Sequence, residues 1–162
     1  MSTNRRLVLL LIAIPLAAVL LAGCSDDDGD DDAGDEQVIH VIEHAETNTL
    51  RHLGPPSEKD SVGDVLAYAN PVFDSSNEEQ IGTDNGYCIR TAVGEAYECA
   101  WTTTLEDGQI MVAGPFLDGE DSANAITGGT GAYEGATGEM ELKYRDPEGT
   151  EYDFIFHINA EA

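Results

Sequence analysis

Positive charge is what this sequence has least of. Seven Lys and Arg stand against 32 Asp and Glu in 162 residues, for a formal net charge of −25. A surface of that sign repels phosphate backbones and argues against a nucleic-acid partner. Helical patterning is missing too: beyond residue 37 no segment keeps a 3.6-residue apolar period over three turns. No glycine-rich fingerprint ending in Lys and Ser or Thr follows a strand, so a phosphate cradle is not expected. Ser61 and Ser122 lack a nucleophile-elbow context. His40 and His44 share a strand face but lie about 13 Å apart, too far for one metal ion. His52 and His157 have no motif around them, so no metal site is expected.

What is present falls into three parts. Residues 1–23 read as a lipoprotein signal peptide: Arg5 and Arg6 supply the positive start, and Leu7 begins an apolar run of 15 residues. That is short for a spanning helix, which needs about 20. Leu21-Ala22-Gly23-Cys24 is a small-residue cleavage site ending in cysteine. Cleavage there would leave Cys24 as a lipidated N-terminus, since two or more acyl chains anchor stably. The alternative is an uncleaved N-terminal anchor with an incidental cysteine. The paired arginines leave Sec and twin-arginine export both open. The expected location is outside the cytoplasm, on the outer face of the cell membrane, with membrane lipid engaged through Cys24. Residues 24–36 carry eight acidic residues among Ser, Gly and Ala and read as a disordered tether. They lack the ligand pattern and terminal glutamate of an EF-hand loop.

Residues 37–162 form the expected domain. It holds 24 Asp and Glu against five Lys and Arg, net −19. Such acidity suits a saline habitat, and acidic, lysine-poor sequences also occur in high-GC bacteria. Eight strands are predicted, at 38–44, 64–70, 85–92, 96–105, 109–116, 122–127, 137–144 and 150–159. Alternation is clearest at Met140, Leu142 and Tyr144 on one face with Glu139, Glu141 and Lys143 on the other, and at Tyr152, Phe154, Phe156 and Ile158. Ile155 points the other way, a hint of an interface patch. Gly114-Pro115 reads as a corner, and Gly128, Gly129, Gly131, Gly135 and Gly138 form a glycine cluster suited to bends and bulges. Eight short antiparallel strands can pack as a sandwich or close as a barrel wide enough for side chains or one small ligand.

With Cys24 assigned to lipid, Cys88 and Cys99 remain in an oxidising space. They flank a hairpin centred on Val93-Gly94. A loop of even length puts Arg90 opposite Tyr97 and Cys88 opposite Cys99, where a cross-strand disulfide can form. An odd loop puts the sulfurs on opposite faces.

From Gly63 to Tyr144 the chain resembles the allene oxide cyclases and dirigent proteins. The resemblance rests on Gly63-Asp64 before Val65, on Ile81-Gly82, on Gly86-Tyr87-Cys88, on Gly114-Pro115-Phe116 and on Glu120-Asp121. It continues through Ile126-Thr127-Gly128-Gly129-Thr130-Gly131 to Tyr133-Glu134-Gly135 and Gly138. It implies an all-β, eight-stranded antiparallel barrel over most of the domain. Cyclases of this kind close a fatty-acid epoxide within the barrel without metal or cofactor, and dirigent proteins steer radical coupling by cavity shape. The resemblance maps pocket residues to Asn70 and Cys88 and a first-strand glutamate to Glu43, as the catalytic set. It implies a ligand pocket at Leu66, Tyr68, Trp101, Phe116 and Phe154, and a dimer or trimer as the assembly. Chemically, Asn70 can polarise an epoxide oxygen and Glu43 can stabilise positive charge. Two positions depart from the cyclase pattern: Ala45 stands for a second asparagine and Phe116 for a tyrosine. Asn70 before Pro71 also reads as a strand end, Glu43 also reads as one more surface acid, and a disulfide at Cys88 would remove its thiol.

Three function classes follow. The first is a lipid-anchored barrel that binds a small hydrophobic molecule, an 18-carbon chain being long enough for tight binding. The second is a cofactor-free isomerase or cyclase, or a dirigent-like coupling guide. The third is a structural envelope lipoprotein with a filled barrel.

Overall fold

A computed structural model describes residues 36–159, so the leader, Cys24 and the tether as far as Asp35 lie outside the described residues. Nine strands follow one another: β1 Glu36–His44, β2 Thr49–Arg51, β3 Val65–Asp74, β4 Gln80–Ala92, β5 Ala96–Leu105, β6 Gly108–Leu117, β7 Ser122–Gly131, β8 Gly138–Tyr144 and β9 Glu151–Asn159. All pairings are antiparallel between neighbours, in the order β1-β9-β8-β7-β6-β5-β4-β3-β2. The sheet closes where β1 meets β3, with Val41, Ile42 and Glu43 opposite Asp74, Phe73 and Val72. The result is a closed barrel of eight strands, with β2 as a short extra strand on the other half of β3.

All eight predicted strands are present, and the differences from the sequence reading have local causes. Glu36, assigned to the tether, opens β1 opposite Asn159. β3 does not stop at Asn70: Pro71 lies opposite Thr83, and the strand runs on to close the barrel. β4 starts at Gln80, five residues earlier than predicted, so Asp84 lies within it. Gly114-Pro115 is not a corner, because both residues sit inside β6 opposite Cys99 and Glu98. Part of the glycine cluster, Gly128 to Gly131, belongs to β7, which follows a register shift at Met111/Val112 on β6. A bulge is the expected device where a barrel wall bends.

Alternation puts one face of each strand inside, as a period of two requires. Val41, Val72, Ile110, Val112, Met140, Leu142, Phe154 and Phe156 are buried there, and Ile110, Met140 and Phe156 are fully inaccessible. Ile155, on the outward face of β9, is half-buried. Toward one end of the barrel Arg90 is buried, bonded to Asp60 at 2.9 Å and Asp118 at 2.7 Å, and it lies 3.6 Å over the Tyr97 ring. The carboxylates and the π-face replace the water that the guanidinium gives up.

The hairpin between β4 and β5 shows how the two cysteines meet. Ala92 pairs with Ala96, leaving the odd three-residue loop that would separate the sulfurs. A register shift between Arg90 and Ala92 restores the parity, so that Arg90 faces Tyr97 and Cys88 faces Cys99. Gly94, at φ 67°, supplies the left-handed turn residue. The disulfide Cys88–Cys99 forms across the strands with Cα atoms 4.0 Å apart.

Candidate functional site

The barrel interior is filled toward the end where β3 leaves for β4 and open toward the other. There a cavity of about 190 Å³ is lined by side chains from seven strands and by the 45–48 loop. Five aromatic side chains (Tyr68, Trp101, Phe116, Tyr152, Phe154), Leu66, Leu142 and the Cys88–Cys99 disulfide make its wall. Ala45, Thr47, Asn48 and Gly149 contribute near its mouth, and Thr47 and Asn48 are solvent-exposed.

The polar floor is built at the β1–β3 seam. Glu43 and Asn70 both line the cavity and both are buried. Asn70 Nδ2 donates to Glu43 Oε1 at 2.6 Å. Asn70 Oδ1 accepts from the Thr47 backbone N at 2.8 Å and from Thr47 Oγ1 at 3.0 Å. Thr47 Oγ1 also lies 2.7 Å from the Ala69 carbonyl, so the loop after β1 clamps onto β3 and fixes which way the amide points. Burial raises the Glu43 carboxyl from 4.5 to about 7, against the smaller opposing pulls of the Asn70 hydrogen bond and of neighbouring His44. A carboxyl balanced near neutrality can give or take a proton at physiological pH.

A second acid lies deeper. Asp84 is fully buried, its Oδ1 accepting from Thr103 Oγ1 at 2.7 Å, while Oδ2 has no partner. Burial first, and Glu43 second, push its carboxyl well above the usual range. Tyr68 is raised by burial and by both acids. Its ring lies over Gly86, where a Cβ would meet the Tyr68 hydroxyl at 2.7 Å. Gly86 therefore makes room for Tyr68 on the cavity wall. Trp101, tilted against Phe154 at 5.9 Å, has a buried indole Nε1–H without a partner. Tyr152 donates to the Gly149 carbonyl at 3.1 Å and packs edge-on against Phe116.

The structure brings Glu43, Asn70, Cys88, Leu66, Tyr68, Trp101, Phe116 and Phe154 around this one cavity. One assignment changes: Cys88 is bonded to Cys99, so it offers no thiol and its sulfur is part of the wall. Asn70 is neither a strand end nor exposed, and Glu43 is no surface acid. Sequence reasoning missed Asp84, whose inward parity with Cys88 and Gly86 was visible but lay one residue before the predicted strand. It also missed Thr47, which carries no signal before the loop closes. Among the described residues no group of three or more His, Cys, Asp or Glu could hold a metal ion.

A family model described as "Allene oxide cyclase barrel like domain" matches residues 35–156. Among solved structures, a pyocyanin demethylase superposes with a TM-score of 0.59 at 23% identity, over 74% of this chain and 100% of that one. The pterocarpan synthase dirigent protein PsPTS1 gives 0.62 at 18% identity, over 79% and 97%. An exo-specific intermolecular Diels-Alderase gives 0.59 at 19% identity, over 78% and 100%. At these identities the structural matches speak to the fold.

Proposed function

The chain belongs to the allene oxide cyclase barrel-like family, and from that premise we propose that it is an exported, lipid-anchored barrel that binds a small hydrophobic molecule in its interior. The observation that carries the reading is the cavity itself: apolar and aromatic walls around a single polar floor, the usual composition of a ligand site. The names of the structural neighbours, a demethylase, a pterocarpan synthase and a Diels-Alderase, support a barrel that holds a small organic molecule. The open cavity speaks against a barrel filled solely for structure.

Size narrows the ligand. About 190 Å³ lies below the roughly 300–1,000 Å³ typical of drug-sized pockets. An 18-carbon chain is therefore not enclosed; one or two rings are, or one end of a longer molecule emerging past Thr47 and Asn48. Apolar burial supplies the affinity, at about 0.8 kcal/mol per CH₂ before the costs of association.

A second reading, a cofactor-free isomerase or cyclase, is favoured by one observation: Glu43 sits near neutrality, oriented by Asn70. Ala45 and Phe116 line the same cavity without the polar groups that the cyclase pattern has there, so binding is the preferred reading.

Self-association is the third element. Exposed Tyr87, Ile89 and Met111 share an outward face of β4 to β6 with Ala100 and Ala113. Two copies of net −19 approach most readily on this face, where Glu98, opposite Ile89, is the one carboxylate among the paired outward positions.

The test of the binding reading is a thermal-shift panel of one- and two-ring apolar compounds on the purified full chain. Saturable stabilisation by members of the panel is expected. No stabilisation by any of them, together with full activity in closing a fatty-acid epoxide, would replace binding by catalysis.

A further inference from the structure

Resting on the binding reading above, we infer that the cavity selects a small lipophilic cation, an aromatic or benzylic ammonium, over the neutral or anionic molecule of the same shape. Three independent features point this way.

The first is the unbalanced acid at the floor. Glu43 lines the cavity and is 5% exposed, and among the described residues only Asn70 bonds to its carboxyl, through Oε1. Oε2 is left for a ligand. No Lys, Arg or His lines the cavity. The nearest interior cation, Arg90, is committed to Asp60 and Asp118. An anionic ligand would thus find no cation in the cavity to pair with.

The second is the wall. Tyr68, Trp101, Phe116, Tyr152 and Phe154 present five rings to a space about one or two rings wide. The negative faces of aromatic rings attract a cation, Trp most strongly, and more so where water is excluded. The third is the field outside. A domain of net −19 draws cations toward its mouth and repels anions, over a range set by the salt.

Burying an ion pair is often unrewarding because both partners must lose water. Here the carboxyl has already lost it: folding has placed Glu43 in the interior before any ligand arrives. The entering ammonium gives up its own hydration and recovers it from Oε2 and the rings. By linkage, a cation that favours ionised Glu43 must expel the proton that the empty site carries near neutral pH. The groups that face Glu43 are Asn70 and Tyr68 on β3, Asp84 on β4, Tyr152 on β9 and His44 next to it on β1. Of these, Asp84 and the two tyrosines are pushed upward, chiefly by burial, and Glu43 is the acid that lines the cavity, so the released proton is assigned to it.

The experiment is calorimetric titration of the full chain, in neutral detergent with matching blanks, using benzylamine, benzyl alcohol and benzoate at pH 7. Benzylamine should bind on the order of tenfold tighter than the alcohol, a difference of about 1.4 kcal/mol, with benzoate weakest. Repeating the benzylamine titration in buffers of different ionisation heat should reveal proton release, absent for the alcohol. The amine's advantage should shrink at pH 5.5, where Glu43 is protonated, and in Glu43→Gln. The pH series on the unaltered chain stands even where that variant fails to fold. Benzyl alcohol binding as tightly as benzylamine, or no proton release, overturns the cation preference and leaves the binding reading standing. Binding by none of the three overturns both.

Discussion

Asn70 on β3 donates to Glu43 on β1 at 2.6 Å, across the seam where the barrel closes. The hydrogen bond therefore has two duties: it ties the last pair of strands and it aims the one acid on the cavity floor. The closing ladder itself is only three residue pairs long, so side chains carry an unusual share of the closure.

Replacing Asn70 by Ala removes the donor to Glu43 and the acceptor for Thr47 N and Oγ1. A loss of about 2–3 kcal/mol is expected, since buried partners are left unsatisfied. The Glu43 carboxyl should rise further, because Asn70 pulls it down. Apolar binding should change little, while any turnover should slow, since a group that stabilises a transition state acts on rate more than affinity. Denaturant melts and an NMR titration of the Glu43 carboxyl check the first two; an unchanged titration contradicts the assignment.

Stability should respond to pH with the sign set by burial. In the unfolded chain Glu43 ionises near 4.5, whereas in the fold it holds its proton to about 7. Its favourable contribution is complete below 4.5 and falls away as pH rises through 7, by roughly 3 kcal/mol. Asp84, shifted the same way, adds to the slope. Urea unfolding at pH 5 and pH 8 should show a smaller loss in Glu43→Gln than in the unaltered chain. Equal losses in both would remove Glu43 from the account.

Reduction of Cys88–Cys99, or the double change to Ala, opens a loop that spans a sequence separation of 11. The chain-entropy model expects a loss of about 3 kcal/mol. Because the bridge lines the cavity, ligand affinity should fall with it. Intact-mass measurement on unreduced exported protein should find no free thiol at either position.

The anchor has its own check. Cys24→Ser should release the protein into the medium or leave its leader uncleaved. Unchanged processing and membrane association would rule out lipidation at that residue.

Much of the barrel was legible because period-two alternation survives wherever one face is wet. Met140, Leu142 and Tyr144 read inward from sequence, and they are inward. Legibility failed where tertiary pairing overrode local signals. Pro71 and Pro115 looked like breaks, yet each continues its strand, in register with Thr83 and Glu98. The three residues of β2 carry too few side chains to show a period. The Cys88–Cys99 pairing was reached through an even loop, whereas the true loop is odd and a register shift makes good the difference. At the site, Glu43 and Asn70 were found through the family resemblance, since nothing in composition separates one acid from 31 others. Thr47 and Asp84 act only once the strands are closed, and no local pattern announces them.

The most direct measurement of the central claim is the affinity of one two-ring apolar compound, indole, for the chain and for Leu66→Trp, which places a second indole inside the cavity wall. Calorimetry should show saturable binding to the unaltered protein and none to the variant, with the variant's strand spectrum intact. Equal binding by both, or none by the unaltered protein, would contradict a ligand site inside the barrel.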